Sequence, residues 1–266
     1  MHRLTRHTEL LSRSGDDPWV RWCLPDPLPG EVWVHQEVAL VQRLGRRPGF
    51  WVAPLRPQGH PGTPLDDGRR AEEAGRVRAA LVELRDGGHL SRLGARSLSV
   101  AQEHGPVAHE VLDLGEGGDW EWMWTTTAPP QDPREGRVVA LDDRQDAAEL
   151  TAFTRSHNPR VWTEVGTGRV HRWMGVRDAA GALVVIGGAE REDTGVPHLA
   201  GIVTAAGHRG QGWAGVVSAA LTRWALERHG ACTLGMFSDN TTARGVYRRL
   251  GYRTARAWHS RALTPT

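Results

Sequence analysis

Residues 198–228 place HLAGIVT, AAGHRGQGWAG and VVSAALTRWALER in succession. An apolar stretch, a glycine-rich turn and an apolar helical stretch make a strand–turn–helix junction. A chain built around such a junction belongs to the α/β class, because the helix must pack back onto the sheet that holds the strand. The junction also has a chemical consequence. The first N–H groups of a helix lack acceptors, and the helix dipole puts partial positive charge there, so phosphate oxygens bind well. Gly210, Gly212, Ala214 and Gly215 let an anion come close to the backbone, and Arg209 can add a charge-assisted contact. The plainer alternative is a tight turn with close helix packing.

Similar elements surround the junction. The spacing predicts strands at 137–141, 172–176 and 183–189, a helix after Asp142 or Asp143, and a strand over 233–237. A second helix over 240–250 is ended by Gly251, and a last strand covers 253–261. In the N-terminal half, strands are expected at 32–44, 50–54, 109–114 and 120–125, with a helix over 66–85. Trp120, Trp122 and Trp124 share one face of the last of these strands, which favours packing over ligand stacking. Pro129, Pro130 and Pro133 exclude a helix at 125–136 and favour an extended linker. This gives three parts: an N-terminal α/β domain at 1–128, a proline-rich linker at 129–136 and a second domain at 137–266. Residues 1–136 hold 16 Arg against 20 Asp/Glu, and residues 137–266 hold 17 Arg against 11 Asp/Glu. The basic half favours an anionic ligand.

Composition closes off several chemistries. Every basic residue apart from histidine is arginine, so no Schiff-base, pyridoxal-phosphate or Walker-type lysine exists. Cys23 and Cys232 form neither a disulfide framework nor a CxxC motif, and no histidine spacing suggests a metal site. The expected setting is the cytoplasm, with no membrane-spanning helix and no secretory leader. The arginines are dispersed rather than interleaved with aromatics, which argues against nucleic acid.

The Arg209-Gly210-Gln211-Gly212-Trp213-Ala214 segment resembles the Q/R-x-x-G-x-G/A signature of the GCN5-related N-acetyltransferase (GNAT) superfamily. Downstream, Asn240, Ala243, Tyr247, Gly251 and Tyr252 resemble that family's Asn…Ala…Tyr…Gly-aromatic pattern. The resemblance covers residues 137–261. Three departures stand out: Ala206 and Gly207 in place of a proline and an acidic residue, the bulky Trp213, and Ala214 where glycine is commoner. The resemblance implies a mixed α/β GNAT fold, with a central, mostly antiparallel, splayed sheet flanked by helices. The smaller N-terminal domain would be a degenerate copy without a phosphate loop, leaving one coenzyme site.

The resemblance further implies an acetyl-CoA-dependent N-acetyltransferase acting on a primary amine by direct attack in a ternary complex. The N–H groups of Arg209, Gly210, Gln211, Gly212, Trp213 and Ala214 would hold the pyrophosphate. Ile202, Val203 and Thr204 would pair with the pantetheine arm, and an N–H near Ile202 or Val203 would polarise the acyl carbonyl. Asn240 would bond the arm, and Tyr247 would protonate the departing thiolate. Asn240, Ala243, Tyr247 and Leu250 also fit one plain packing face of a helix. His198 and Glu190, with Glu192 beside them, are candidates for the base, and Trp162 and Glu164 for acceptor contacts. The competing reading is a non-catalytic acyl-CoA-binding regulatory module. The acceptor, the acyl length and the oligomeric state, a homodimer included, stay open at this level.

Overall fold

The computed structural model describes residues 1–45, 47–56 and 66–264. They divide into two compact units. Unit one contains Met1–Trp122, Phe237–Asp239 and the C-terminal segment from Thr254; unit two contains Met123–Met236 and Asn240–Arg253.

In unit one the chain forms β1 (His2–Leu4), α1 (His7–Arg13), α2 (Pro18–Cys23), β2 (Val32–His35), β3 (Val38–Arg43) and β4 (Gly49–Pro54). Next come α3 (Asp67–Asp86), α4 (His89–Arg92), β5 (Ser97–Ala101), α5 (Gly105–Val111) and β6 (Leu114–Thr125), whose last three residues belong to unit two. The helix expected at 66–85 is α3: the Asp66 carboxylate accepts from the Arg69 N–H at 2.9 Å, and Val77, Leu81 and Leu84 bury one face. Two expectations need correction. The strand read at 32–44 is a hairpin, because Gln36 and Glu37 both take positive φ and turn the chain. Neither residue type announces that conformation. The strand read at 109–114 is mostly helix α5, opened by Gly105-Pro106 and anchored by buried Val107, Ala108 and Val111.

Unit two contains β7 (Val138–Leu141), α6 (Ala147–His157), β8 (Arg172–Arg177), β9 (Leu183–Arg191), β10 (Pro197–Thr204), α7 (Trp213–His229), β11 (Cys232–Phe237) and α8 (Thr241–Arg249). The final strand, β12 (Arg253–Leu263), runs from unit two into unit one, where it pairs antiparallel with β5. The strand order in unit two is β6-β11-β10-β9-β8-β7, antiparallel between β7, β8, β9 and β10 and parallel between β10 and β11. Its core is Val184, Val185, Leu199, Leu234 and Met236 under the buried face of α7, chiefly Val217, Leu221 and Ala225. In unit one the order is β1-β2-β3-β4-β5-β12-β6, with β4 and β5 parallel. The mixed α/β class with a mostly antiparallel sheet is therefore as expected.

The contact boundaries differ from a division at 129–136. Met123–Thr125 belongs to unit two, and the strand after Thr254 belongs to unit one. The proline-rich segment is not an extended linker either. Pro133–Arg137 is a 3-10 turn, with Asp132 and Glu135 forming a capping box. Proline disfavours the interior of a helix but suits its first turn, where no N–H is needed. Arg223 of α7 pairs with Glu135 and donates to the carbonyls of Pro129 and Pro130, each at 3.2 Å.

Cutting the chain between 136 and 137 strands β12 away from β5. We expect the fragments 1–136 and 137–266, made separately, to lack the cooperative thermal transition of the full chain in circular dichroism. A sharp melt of 137–266 alone would contradict this.

Candidate acyl-coenzyme site

The site in unit two starts from a break in strand pairing. β10 and β11 pair only at His198↔Thr233 and Leu199↔Leu234, although both strands run on. On its other side β10 stays paired to β9, with an irregularity between Ala200 and Val203. Gly201 and Ile202 have no register partner on either neighbour, and Gly201 takes φ +63°. This is a β-bulge centred on a glycine. A side chain at 201 is blocked: its Cβ would lie 2.9 Å from Trp173 Cη2 and 3.2 Å from Thr163 Oγ1. Beyond the bulge, Val203 and Thr204 pair with β9 only, so a gap opens beside the C-terminal half of β10.

The turn that follows carries the anion-binding geometry. Gly210 and Gly212 sit at φ +76° and +83°, a conformation that L side chains adopt only under strain. Among the described residues, no hydrogen bond engages the N–H groups of Gly210, Gln211, Gly212, Trp213, Ala214 or Gly215. Arg209 donates to the carbonyls of His157 (2.6 Å) and Thr204 (3.4 Å), and its charge meets no carboxylate among the described residues. The Trp213 ring does not block the loop. It is buried in the core of unit two, and its Nε1 donates to Gln211 Oε1 at 3.2 Å.

Tyr247 is buried in the same core, in edge contact with Tyr252 at 5.9 Å. Burial drives its phenol well above the usual tyrosine range. Its hydroxyl has no hydrogen-bond partner among the described residues, yet it is not sealed from solvent as the orphan Ser218 Oγ is. Tyr252 differs: its hydroxyl bonds Thr222 Oγ1 at 2.8 Å and Cys232 Sγ at 3.1 Å. Burial pushes the Cys232 thiol up to about 12, so it is no nucleophile at neutral pH. Asn240 is the N-cap of α8, its Oδ1 accepting from the Ala243 N–H at 3.0 Å.

The candidate bases gather at the paired start of β10. His198 lies opposite Glu190 in the ladder, and its Nδ1 is 2.9 Å from both Glu192 Oε1 and Thr233 Oγ1. Burial alone lowers its pKa, but the charge and hydrogen bond of Glu192, with the charge of Glu190, outweigh this and raise it. His198 is four residues before Ile202, about 13 Å along an extended strand. The candidate bases therefore do not adjoin the bulge.

The loop before β8 covers the bulge through Thr163. Its neighbours are Trp162, which is 64% exposed, and Glu164, 3.8 Å from Arg169. The loop is held by Asp143, whose carboxylate accepts from the N–H groups of Gly166 (3.1 Å) and Gly168 (2.7 Å) and from Trp173 Nε1 (2.8 Å). Neither Asp142 nor Asp143, the two caps that the sequence offered, caps α6: the N-cap position is Asp146, and the Asp142 carboxylate accepts from the N–H groups of Arg144 and Gln145. Thr163, Trp173 and Asp143 were missed from the sequence; glycine inside the strand 198–204 was the one signal for a bulge.

Unit one repeats the strand–helix–strand order, with β4 parallel to β5 across α3. There the pairing ends at Val52↔Val100, but the space beyond is filled. Both terminal nitrogens of Arg256 lie 3.3 Å from the Pro54 carbonyl, and Arg256 pairs with fully buried Asp17. Trp19 packs edge-on against Trp258 at 5.1 Å beside them. Residues 57–65, where a loop equivalent to 205–212 would fall, lie outside the described residues. Glu73, Glu103 and His104 also converge in unit one, but Arg56 pairs with both carboxylates.

With this geometry in hand, comparison with known proteins is informative. Residues 174–261 match the family described as FR47-like protein. The matched segment runs from β8 into β12, and the FR47-like family is GNAT-related. A GCN5-related N-acetyltransferase from Kribbella flavida is similar over 99% of this chain and 98% of that one, at 16% identity and a TM-score of 0.52. A GNAT-family acetyltransferase from Colwellia psychrerythraea matches 97% of this chain and 96% of its own, at 14% identity and 0.51. A GCN5-related N-acetyltransferase from Sphaerobacter thermophilus matches 86% and 78%, at 15% identity and 0.51. At such identities the shared property is the fold. No curated protein matches the chain. Among the described residues, no helix is long and apolar enough to cross a membrane.

Two outcomes follow from the site. Gly201→Val should cost roughly 2–4 kcal/mol in urea unfolding, from backbone strain plus the clash with Trp173; a change below about 1 kcal/mol would contradict the bulge. Because the folded pKa of His198 is raised, its contribution to stability is complete below the unfolded value of ~6.5 and is lost as pH rises through the folded value. The melting temperature should fall over that window in the wild type, and His198→Gln should remove that part of the pH dependence.

Proposed function

We propose that unit two is an acyl-CoA-dependent N-acyltransferase, transferring an acetyl or short acyl group to a primary amine by direct attack. The observation that carries the reading is the opened β10–β11 gap beside a turn whose N–H groups are unengaged. The residues fit the coenzyme. Gly210 leaves open space at the backbone, a Cβ on Gly212 would meet only the Arg134 guanidinium at 3.3 Å, and the N–H groups from Gly210 to Ala214 are unengaged, whereas that of Arg209 is taken by the Ala206 carbonyl; the Arg209 guanidinium pairs with no carboxylate among the described residues. When bound, the coenzyme supplies the activated thioester.

The protein's own groups then have distinct tasks. The N–H groups of the phosphate turn fix the coenzyme by its pyrophosphate. Val203 and Thr204, unpaired toward β11, offer backbone groups to the pantetheine arm, and an N–H at Ile202 or Val203 can polarise the acyl carbonyl. The Tyr247 hydroxyl, kept protonated by burial and without a hydrogen-bond partner among the described residues, is suited to donate a proton to the leaving sulfur. Asn240, already capping α8, contributes to the arm only through atoms that the cap does not use. His198, four residues before Ile202 on β10, and Glu190, opposite it on β9, lie too far from the bulge to touch the amine directly and would remove its proton through water, with Glu192 holding the imidazole. Trp162 and Glu164, flanking the Thr163 contact, are acceptor-contact candidates, suited to a cationic amine. The filled gap of unit one supports a single coenzyme site per chain.

Calorimetric titration with acetyl-CoA, joined to thiol-release assays over a panel of amines, tests the reading. Tyr247→Phe should reduce turnover by about 10²–10⁴-fold with little change in acetyl-CoA affinity. Gly212→Asp should abolish binding, by strain and by charge repulsion with the pyrophosphate. A folded Gly212→Asp variant that binds acetyl-CoA as the wild type does would remove the turn from the site. Binding without thiol release to any amine would favour the non-catalytic module.

A further inference from the structure

The proline-rich segment before β7 brings two arginines to the phosphate turn. Arg134 Nη1 donates to the carbonyl of Gln211 at 2.8 Å, and its Nη2 would lie 3.3 Å from a Cβ on Gly212. The Arg134 guanidinium stands 5.2 Å from the centroid of the Trp213 ring, and that of Arg137 stands 4.8 Å from it. Both distances are within cation–π range. The indole in the first turn of α7 is thus a platform for two cations, which gives a reason for a bulky residue where the turn otherwise has small ones. The segment is fixed independently of those arginines, by the Asp132–Glu135 capping box and by Arg223 on Glu135, Pro129 and Pro130.

These cations are not used up by the fold. Arg134 has five N–H donors; two go to Asp132, which they hold at a pKa of about 2, and one to Gln211. Arg137 makes one hydrogen bond, to the Arg177 carbonyl at 3.2 Å, and pairs with no carboxylate among the described residues. Both residues are exposed. With no lysine in the chain, further positive charge for a polyphosphate has to come from arginine.

We propose that residues 129–137 are part of the coenzyme site, with Arg137 and Arg134 contacting its phosphates and Trp213 holding both guanidiniums in place. The inference rests on the acyl-CoA reading of the same turn. Its ligand chemistry is the phosphate groups of the coenzyme, and Arg223 acts on binding only by anchoring the segment.

Calorimetric titration of the full-length protein with acetyl-CoA, at two ionic strengths, tests it. Arg137→Gln and Arg134→Gln should each raise Kd by about tenfold, or 1.4 kcal/mol, with a shallower dependence on salt. Arg137→Lys should recover most of the affinity and the salt dependence, which a merely structural role would not produce. Arg223→Gln should weaken binding while keeping the salt dependence of whatever binding remains. Wild-type binding with Arg137→Gln and Arg134→Gln within twofold of it overturns this inference and leaves the acyl-CoA reading intact. Absence of wild-type binding to acetyl-CoA overturns both.

Discussion

The pairing break between β10 and β11 is the constraint on which the rest of the site depends. Two parallel strands that stayed paired along their length would leave no backbone groups for a ligand. Here the ladder stops after two residue pairs, while β10 remains held by β9. The bulge at Gly201 makes this possible, because an extra residue on β10 turns its backbone without releasing it from the sheet. Trp173 occupies the space that a side chain at 201 would need, and Asp143 fixes the Trp173 ring and the covering loop together. A backbone irregularity, one indole and one carboxylate therefore determine where a ligand can enter.

The two units handle the same topological opportunity differently. In unit one, pairing between parallel strands also ends early, but a buried Arg256–Asp17 pair and tryptophans fill the space. Removing one partner of such a pair would leave an uncompensated buried charge, so the filling is hard to undo by a single change. In unit two the turn after the corresponding strand keeps N–H groups that no described residue engages, and Arg209 and Arg137 have carbonyls as their hydrogen-bond partners. Differences of side-chain chemistry on a shared strand order thus separate a structural unit from a candidate binding unit.

Much of unit two was legible because its signals are local. Helix α8 shows Asn240 before it and Gly251 after it, and α7 follows a turn whose glycines adopt the positive φ that their identity permits. The limits of legibility were equally physical. The Gln36–Glu37 turn uses residues without a turn preference, so a hairpin read as one strand. Prolines at 129–133 were compatible with a linker or with the first turn of a short helix, and contacts from Arg223, far along the chain, decided the outcome. Trp213 stood out only as a bulky departure from the pattern, because the direction of a side chain cannot be inferred from its place in a motif.

The sequence by itself determined the α/β class, the phosphate-turn signature with its flanking strand and helix, and the absence of lysine chemistry. These follow from patterns within about 20 residues, where propensity and periodicity act. Only the tertiary structure decided that β12 belongs with β5, that His198 stands beside Glu192 and away from the bulge, that the Tyr247 hydroxyl has no partner among the described residues, and that the 129–137 segment carries cations to the turn. Each of those depends on contacts between residues distant in sequence. Such contacts are selected by packing and charge pairing across the folded chain and leave no periodic trace in it.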